Sequence, residues 1–332
     1  MKTEFQISDE LGGVVSPLTA AVGAQGTARP TMGIVNRQSP IGNHRAFSLI
    51  EVLVVVSLMS LIVLALMAVF GSTQQAFRAS VTQTDVLEGS RATVDLITSD
   101  LRGMTPCGSV SNNIDINFYT VANDSTAAYA FGYAPLVQNL PGSGVQRTNL
   151  LNWFFVLGRE NQKWSGTGYI VDYTSTNPIY PLYRFYAETN ITSPPWTMFN
   201  TFNQMVQNSQ WTNMSHVMDG VVHLVVRACD TNGVWINNNL RPCTNALNTV
   251  FYLPAWGESQ FYMLSNTVPV AVELQLGVLE DRVLARAESL PNNLPAAPPN
   301  DRRTLYLSQQ AGRTHLFRQR VTIPNVDFTA YQ

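Results

Sequence analysis

Between Phe47 and Phe70 the chain runs for 24 residues, FSLIEVLVVVSLMSLIVLALMAVF, with one charged side chain, Glu51. Coiled as an α-helix, this run is about 36 Å long, enough to cross a hydrocarbon core of about 30 Å. Arg37, His44 and Arg45 precede it, and no acidic residue occurs between Leu11 and Ile50. The first charge beyond it is Arg78. That asymmetry predicts a cytoplasmic N-terminus, with everything after Gly71 on the far side of the membrane. Glu51 is the anomaly. A lone carboxylate in an apolar span costs about 2.5–3.5 kcal/mol on insertion scales. A plain uncleaved anchor leaves that cost unexplained, and a secretory signal peptide has a shorter apolar region, of about 7–15 residues.

The residues Phe47, Ser48, Leu49, Ile50 and Glu51, followed by a long apolar helix, resemble the N-terminal signal of type IV prepilins and of the pseudopilins of type II secretion. In that family a basic leader ends in Gly, and a prepilin peptidase cuts after it and methylates the new amine. Here the residue before the expected cut is Ala46, the smallest departure available. The resemblance implies processing between Ala46 and Phe47. It also gives Glu51 a role in assembly: its carboxylate neutralises the N-terminal amine of a neighbouring subunit. The physics agrees, because two unpaired charges in one apolar layer are each expensive, and pairing them favours docking at one register. The partners so implied are the peptidase, other pilin or pseudopilin subunits and an inner-membrane assembly platform.

The expected organisation follows. Residues 1–46 form a leader, with Met32 as an alternative start that would leave a leader of 15 residues. Residues 47–71 form the membrane or fibre-core helix. Residues 72–104 continue it as an amphipathic helix: Phe77, Val81, Leu87, Val94, Ile97, Leu101 and Met104 fall on one stripe at steps of three and four. Glu88, Arg91 and Asp95 lie on another face. Gly103 and Pro106 end the helix, and Gly71-Ser72 offers a point of bending. Helix from Phe47 to about Arg102 would be about 84 Å long.

Residues 105–332 read as a β-rich head. Val268, Val270, Val272, Leu274, Leu276 and Val278 alternate with smaller or polar residues, which marks a half-buried strand. VVHLVVRAC (221–229) is another, and NIDINFYTV, NWFFVLG, YIVDYT and PLYRFYAE are further candidates. The turns between them are rich in Asn, Gly and Pro. The Pro-rich stretch 289–303 is expected to be an exposed loop. The fold class is therefore α+β: a long N-terminal helix packed on a mostly antiparallel sheet, as in pilins.

Charged residues make up 13% of the chain, with 20 basic and 22 acidic. No global basic surface exists to hold nucleic acid. Of three cysteines, Cys229 and Cys243 bracket a Gly/Asn/Pro loop. In an oxidising compartment a bridge or two unpaired thiols are both compatible with that spacing. No hydrolase, phosphate-loop or zinc-protease motif occurs, so no catalytic residue, metal or cofactor is expected. Asp230-Thr231-Asn232-Gly233 resembles the start of a calcium loop without its closing Glu, so an Asn-Gly turn is the expected form.

EGSRATVDLITSDLRGMTPCG, with Asp100, Leu101 and Arg102, resembles PilW-type minor pilins and J-type pseudopilins; VPVAVELQLGVLEDR is similar to the late strand of the J-type. The whole chain loosely resembles the Verru_Chthon cassette pilin-like proteins. The reading is a structural filament subunit and no enzyme. The alternative is a membrane-anchored binding head for a surface, DNA or an exported protein.

Overall fold

The computed structural model describes residues 47–108, 115–122, 136–172, 179–236, 249–252, 260–290 and 302–331. The chain divides into two compact units, one ending at Leu64 and one beginning at Ala65. In the first, helix α1 (Leu49–Arg102) begins, with every side chain from Phe47 to Leu64 exposed. Helical hydrogen bonding runs on without a break through Gly71-Ser72, where Ser72 Oγ donates to Val69 O.

The second unit holds α1 from Ala65 onward and the head. Val86, Ser90, Thr93, Val94, Ile97, Thr98 and Leu101 form the buried stripe of α1. The stripe thus starts later than the apolar pattern suggests, since Phe77 and Val81 are exposed. It also admits small hydroxyl residues. Ser90 Oγ donates to Val86 O at 2.6 Å and Thr93 Oγ1 to Gly89 O at 2.9 Å, so these two hydroxyls are satisfied within the helix, whereas the buried Thr98 Oγ1 has no hydrogen-bond partner among the described residues. Glu88, Arg91 and Asp95 are exposed, as their spacing predicts. The helix ends at Arg102, and Gly103 forms the turn after it.

Strands β1 (Ile116–Ala122), β4 (Asn152–Glu160), β5 (Lys163–Val171), β6 (Leu182–Asn190), β7 (Ser215–Met218), β9 (Thr249–Tyr252) and β10 (Gln260–Leu264) form a seven-stranded sheet in the order β7-β6-β5-β4-β1-β10-β9. Every pairing in it is antiparallel. Strands β8 (Val221–Cys229), β11 (Ala271–Leu279) and β12 (Thr314–Thr322) form a second antiparallel sheet in the order β12-β11-β8. Strands β2 (Leu136–Asn139) and β3 (Gln146–Asn149) form a hairpin. The two larger sheets meet where Leu224 N–H donates to Leu150 O at 2.8 Å.

Three apolar layers hold the head together. The first joins α1 (Val94, Ile97, Leu101) to Phe154, Val156 and Tyr169 of the large sheet and to Leu224, Leu274 and Leu276 of the small one. The second lies on the opposite face of the large sheet, where helix α2 (Trp196–Gln207) inserts Met198, Phe202 and Val206 among Trp153, Phe155, Leu157 and Ile170. The third covers part of the small sheet with helices α3 (Asp281–Glu288) and α4 (Arg302–Ser308), through Leu279, Val283, Leu284, Ala287 and Leu307. This explains why β4 reads as a continuous apolar run: alternate residues Trp153, Phe155, Leu157 and Phe154, Val156 serve two different cores. Removing Phe202 or Phe154, both fully buried, would cost about 3–5 kcal/mol.

The sequence reading needs three corrections. Helices α2, α3 and α4 lie inside the head that it reads as β-rich, at places where it anticipates no helix. The stretch 289–303 is not one loop, because Arg302 and Arg303 already belong to α4, while 291–301 lie outside the described residues. A bulge opposite Gly277/Val278 also breaks the alternation of β8. Val221 therefore joins the first core, and Val222 turns to the third.

The start of the long helix as a candidate assembly site

The apolar run emerges as a helix with no packing partner among the described residues. Phe47 and Leu49 are more than four-fifths exposed, and Ile50 through Phe70 present Val, Leu, Ile and Met on every side. The most apolar window has a mean hydropathy of 3.0 and is wholly unburied, long and apolar enough to cross a membrane. Burying a Val, Leu or Ile side chain is worth about 1.5–3 kcal/mol, so a helix with this many exposed ones must be covered by lipid or by other apolar helices.

Its N-terminus is built by local chemistry. Phe47 and Ser48 are non-helical, and α1 begins at Leu49. Ser48 N–H donates to Glu51 Oε2 at 2.9 Å, and Glu51 N–H donates to Ser48 Oγ at 3.3 Å. This reciprocal pair is a capping box. It satisfies two donors that a helix start otherwise leaves open, and it sets a carboxylate at the positive end of the helix dipole. The Ser-x-x-Glu spacing was present in the sequence, but Glu51 was read there for its charge alone. The only charged side chain of the apolar run therefore has a local partner: one carboxylate oxygen is held by the N–H of Ser48, the residue next to the chain's expected new terminus.

Residues 41–67 match the family described as the prokaryotic N-terminal methylation motif. The chain carries a type IV prepilin-like signal. Such a signal marks a substrate of prepilin peptidase and a subunit that assembles with other pilin-like chains. The signal and the one apolar N-terminal helix are together consistent with a membrane-anchored, pilin-like protein. No curated protein and no solved structure matches the chain.

Of the residues singled out in the sequence, Phe47 and Glu51 lie together at this helix start, while Ala46 lies outside the described residues. Cys229 is buried in β8; Cys243 lies outside the described residues, and the expected bridge with it. Asp230 closes the turn after β8: its Oδ1 accepts the N–H groups of Asn232 and Val234, both at 2.9 Å, and Gly233 takes φ 76°. That is the Asn-Gly turn expected from the sequence. Among the described residues no group of three or more His, Cys, Asp or Glu side chains is placed to hold a metal ion.

Asp100, on the helix that leads from the signal, was read in the sequence only as part of a family-like element. Its carboxylate receives Arg184 through two hydrogen bonds, at 2.8 and 2.9 Å, and a third from the Tyr169 hydroxyl. Burial and the adjacent carboxylate push the Tyr169 hydroxyl far above its ordinary range, and the hydrogen bond to Asp100 raises Arg184 further still. Both groups therefore stay protonated, and α1 is clamped to β5 and β6 by a bidentate ion pair.

Proposed function

We propose that this protein is a minor subunit, a minor pilin or pseudopilin, of a type IV pilus-like or type II secretion filament. In this reading the prepilin peptidase cuts between Ala46 and Phe47 and methylates the Phe47 amine. The helix start stays in the inner membrane until assembly, with the leader cytoplasmic and the head periplasmic or extracellular. Glu51 pairs with the amine of a neighbouring subunit, and the protein catalyses nothing itself. The observation that carries the reading is the coincidence of the Phe-Ser-Leu-Ile-Glu signal with an uncovered apolar helix whose single charge is Glu51.

The test is intact mass and N-terminal sequence of the protein purified from its own membranes, paired with co-purification of sister subunits. A methylated Phe47 terminus and loss of co-purification in Glu51→Gln are expected. Gln keeps an oxygen for the Ser48 N–H, so the helix start survives and only the charge is removed. An uncut chain would overturn the processing step. Normal co-assembly of Glu51→Gln would overturn the role of its charge.

A further inference from the structure

On the outer flank of the head, α3, α4 and the turn before β12 enclose a cleft of about 680 Å3. Arg282, Arg286 and Arg313 line it together with Glu280, Tyr306 and Gln310. Arg282 and Arg286 are exposed and stand one turn apart on the same face of α3. Like charges at that spacing repel each other. Among the described residues neither guanidinium has an ion-pair partner. Arg313 approaches Glu280 at 3.4 Å, and that one carboxylate is shared with His315 Nε2, also at 3.4 Å. Arg303 turns its guanidinium to the carbonyls of Leu290 and Glu288 at the end of α3 and does not line the cleft.

Among the described residues the lining is thus rich in donors and poor in charged acceptors: three guanidinium groups, a phenol, an amide and the Ser289 hydroxyl stand beside one carboxylate that is already engaged. A planar guanidinium matches two oxygens of a phosphate or carboxylate at once. The volume lies in the range of small-molecule sites, and exceeds what a single inorganic phosphate fills. In a chain with more acidic than basic residues, this concentration of positive charge is local.

We propose that this cleft binds a ligand bearing a phosphate or carboxylate group, taken either from solution or from an anionic lipid headgroup. It gives the head a recognition site separate from the helix start, independent of whether the protein joins a filament. The guanidinium groups of Arg282 and Arg286 grip the anion, Arg313 closes the third side, and Tyr306 and Gln310 supply neutral donors.

The test uses the full chain in neutral detergent micelles, with inorganic pyrophosphate titrated calorimetrically at about 0.1 M ionic strength to suppress long-range attraction. Saturable binding is expected. Arg282→Gln with Arg286→Gln should weaken it by roughly ten-fold per guanidinium removed. Arg91→Gln with Arg102→Gln, two exposed α1 residues outside the cleft, removes the same net charge and should leave it unchanged. Adding phosphatidylglycerol to the micelles separates the two sources. Competition with pyrophosphate supports a headgroup, and undisturbed pyrophosphate binding supports a soluble anion. Absence of saturable binding, or equal weakening in the two double variants, overturns the proposal.

Discussion

His223 makes the stability of the head depend on pH. It sits at the seam of the two larger sheets, where its Nδ1 accepts the N–H of Leu150 at 3.2 Å. Gly277 faces it across the ladder; a Cβ there would come within 2.8 Å of the His223 Cβ. Burial lowers the imidazole from 6.5 to about 4; a hydrogen bond to Gln275 opposes this, and the charges of Arg147 and Arg227 add to it. The folded value is depressed, so between pH 6.5 and about 4 the unfolded chain takes up a proton that the folded chain refuses. Stability therefore falls as pH falls through that window. One such group removes about 2 kcal/mol between pH 7 and pH 5, and about 3 kcal/mol by pH 4. With the ring 8% exposed, solvent screening takes little from this. The assay is chemical denaturation of the full chain in detergent at several pH values, followed by the fluorescence of buried Trp153 and Trp164. His223→Asn offers an oxygen to the same Leu150 N–H and does not titrate. Its stability should be flatter than wild type between pH 7 and pH 5 by about 2 kcal/mol, all other groups being shared. Parallel curves for the two proteins would refute the reasoning.

Three further outcomes are expected. Gly168→Ala places a Cβ 2.5 Å from the ring of Phe202, so α2 must lift from the sheet; a loss of about 1–3 kcal/mol should appear in denaturation midpoints. Asp100→Asn leaves Arg184 half-buried without its carboxylate and should cost about 2 kcal/mol in the same measurement, whereas Arg102→Gln, exposed on the next residue but one, should cost almost nothing. Ser48→Ala removes the oxygen that receives Glu51 N–H and should lower helicity at the N-terminus by about 1 kcal/mol of capping energy, read from amide exchange at Leu49–Leu53 in micelles, while Ser48→Thr restores it.

Much of the fold was legible because its strands follow simple rules. β11 alternates Val272, Leu274, Leu276 and Val278 toward the first core, though it begins at Ala271, later than the alternation does. What escaped did so for identifiable reasons. β5 starts at Lys163, where Gly166 and Gly168 weaken strand propensity; they are there because Met198, Phe155 and Phe202 press against those positions, a demand of tertiary packing that no local pattern shows. Helix α2 did announce itself in Met198, Phe202 and Val206 at steps of four, but it lies in a stretch whose Asn and Thr content reads as loop. The buried stripe of α1 starts later than the sequence suggests because Phe77 and Val81 continue the apolar spacing, yet among the described residues nothing buries them. At the helix start, the capping role of Ser48 and Glu51 depends on α1 beginning at Leu49, a boundary that the unbroken apolar run does not mark. The cleft under α3 and α4 brings together Arg282 and Arg313 from separate elements, which sequence spacing does not reveal.

The clamp between α1 and the sheet also has a mechanical meaning. A pull along the axis of α1 enters the head through the turns between Val86 and Leu101. There it meets the two parallel hydrogen bonds from Arg184 to Asp100, and behind them the nine residue pairs that join β5 to β6. The apolar contacts of Ile97 and Leu101 have no fixed direction, whereas the charge fork is directional and ties α1 at one register to β6, a strand in the interior of the large sheet.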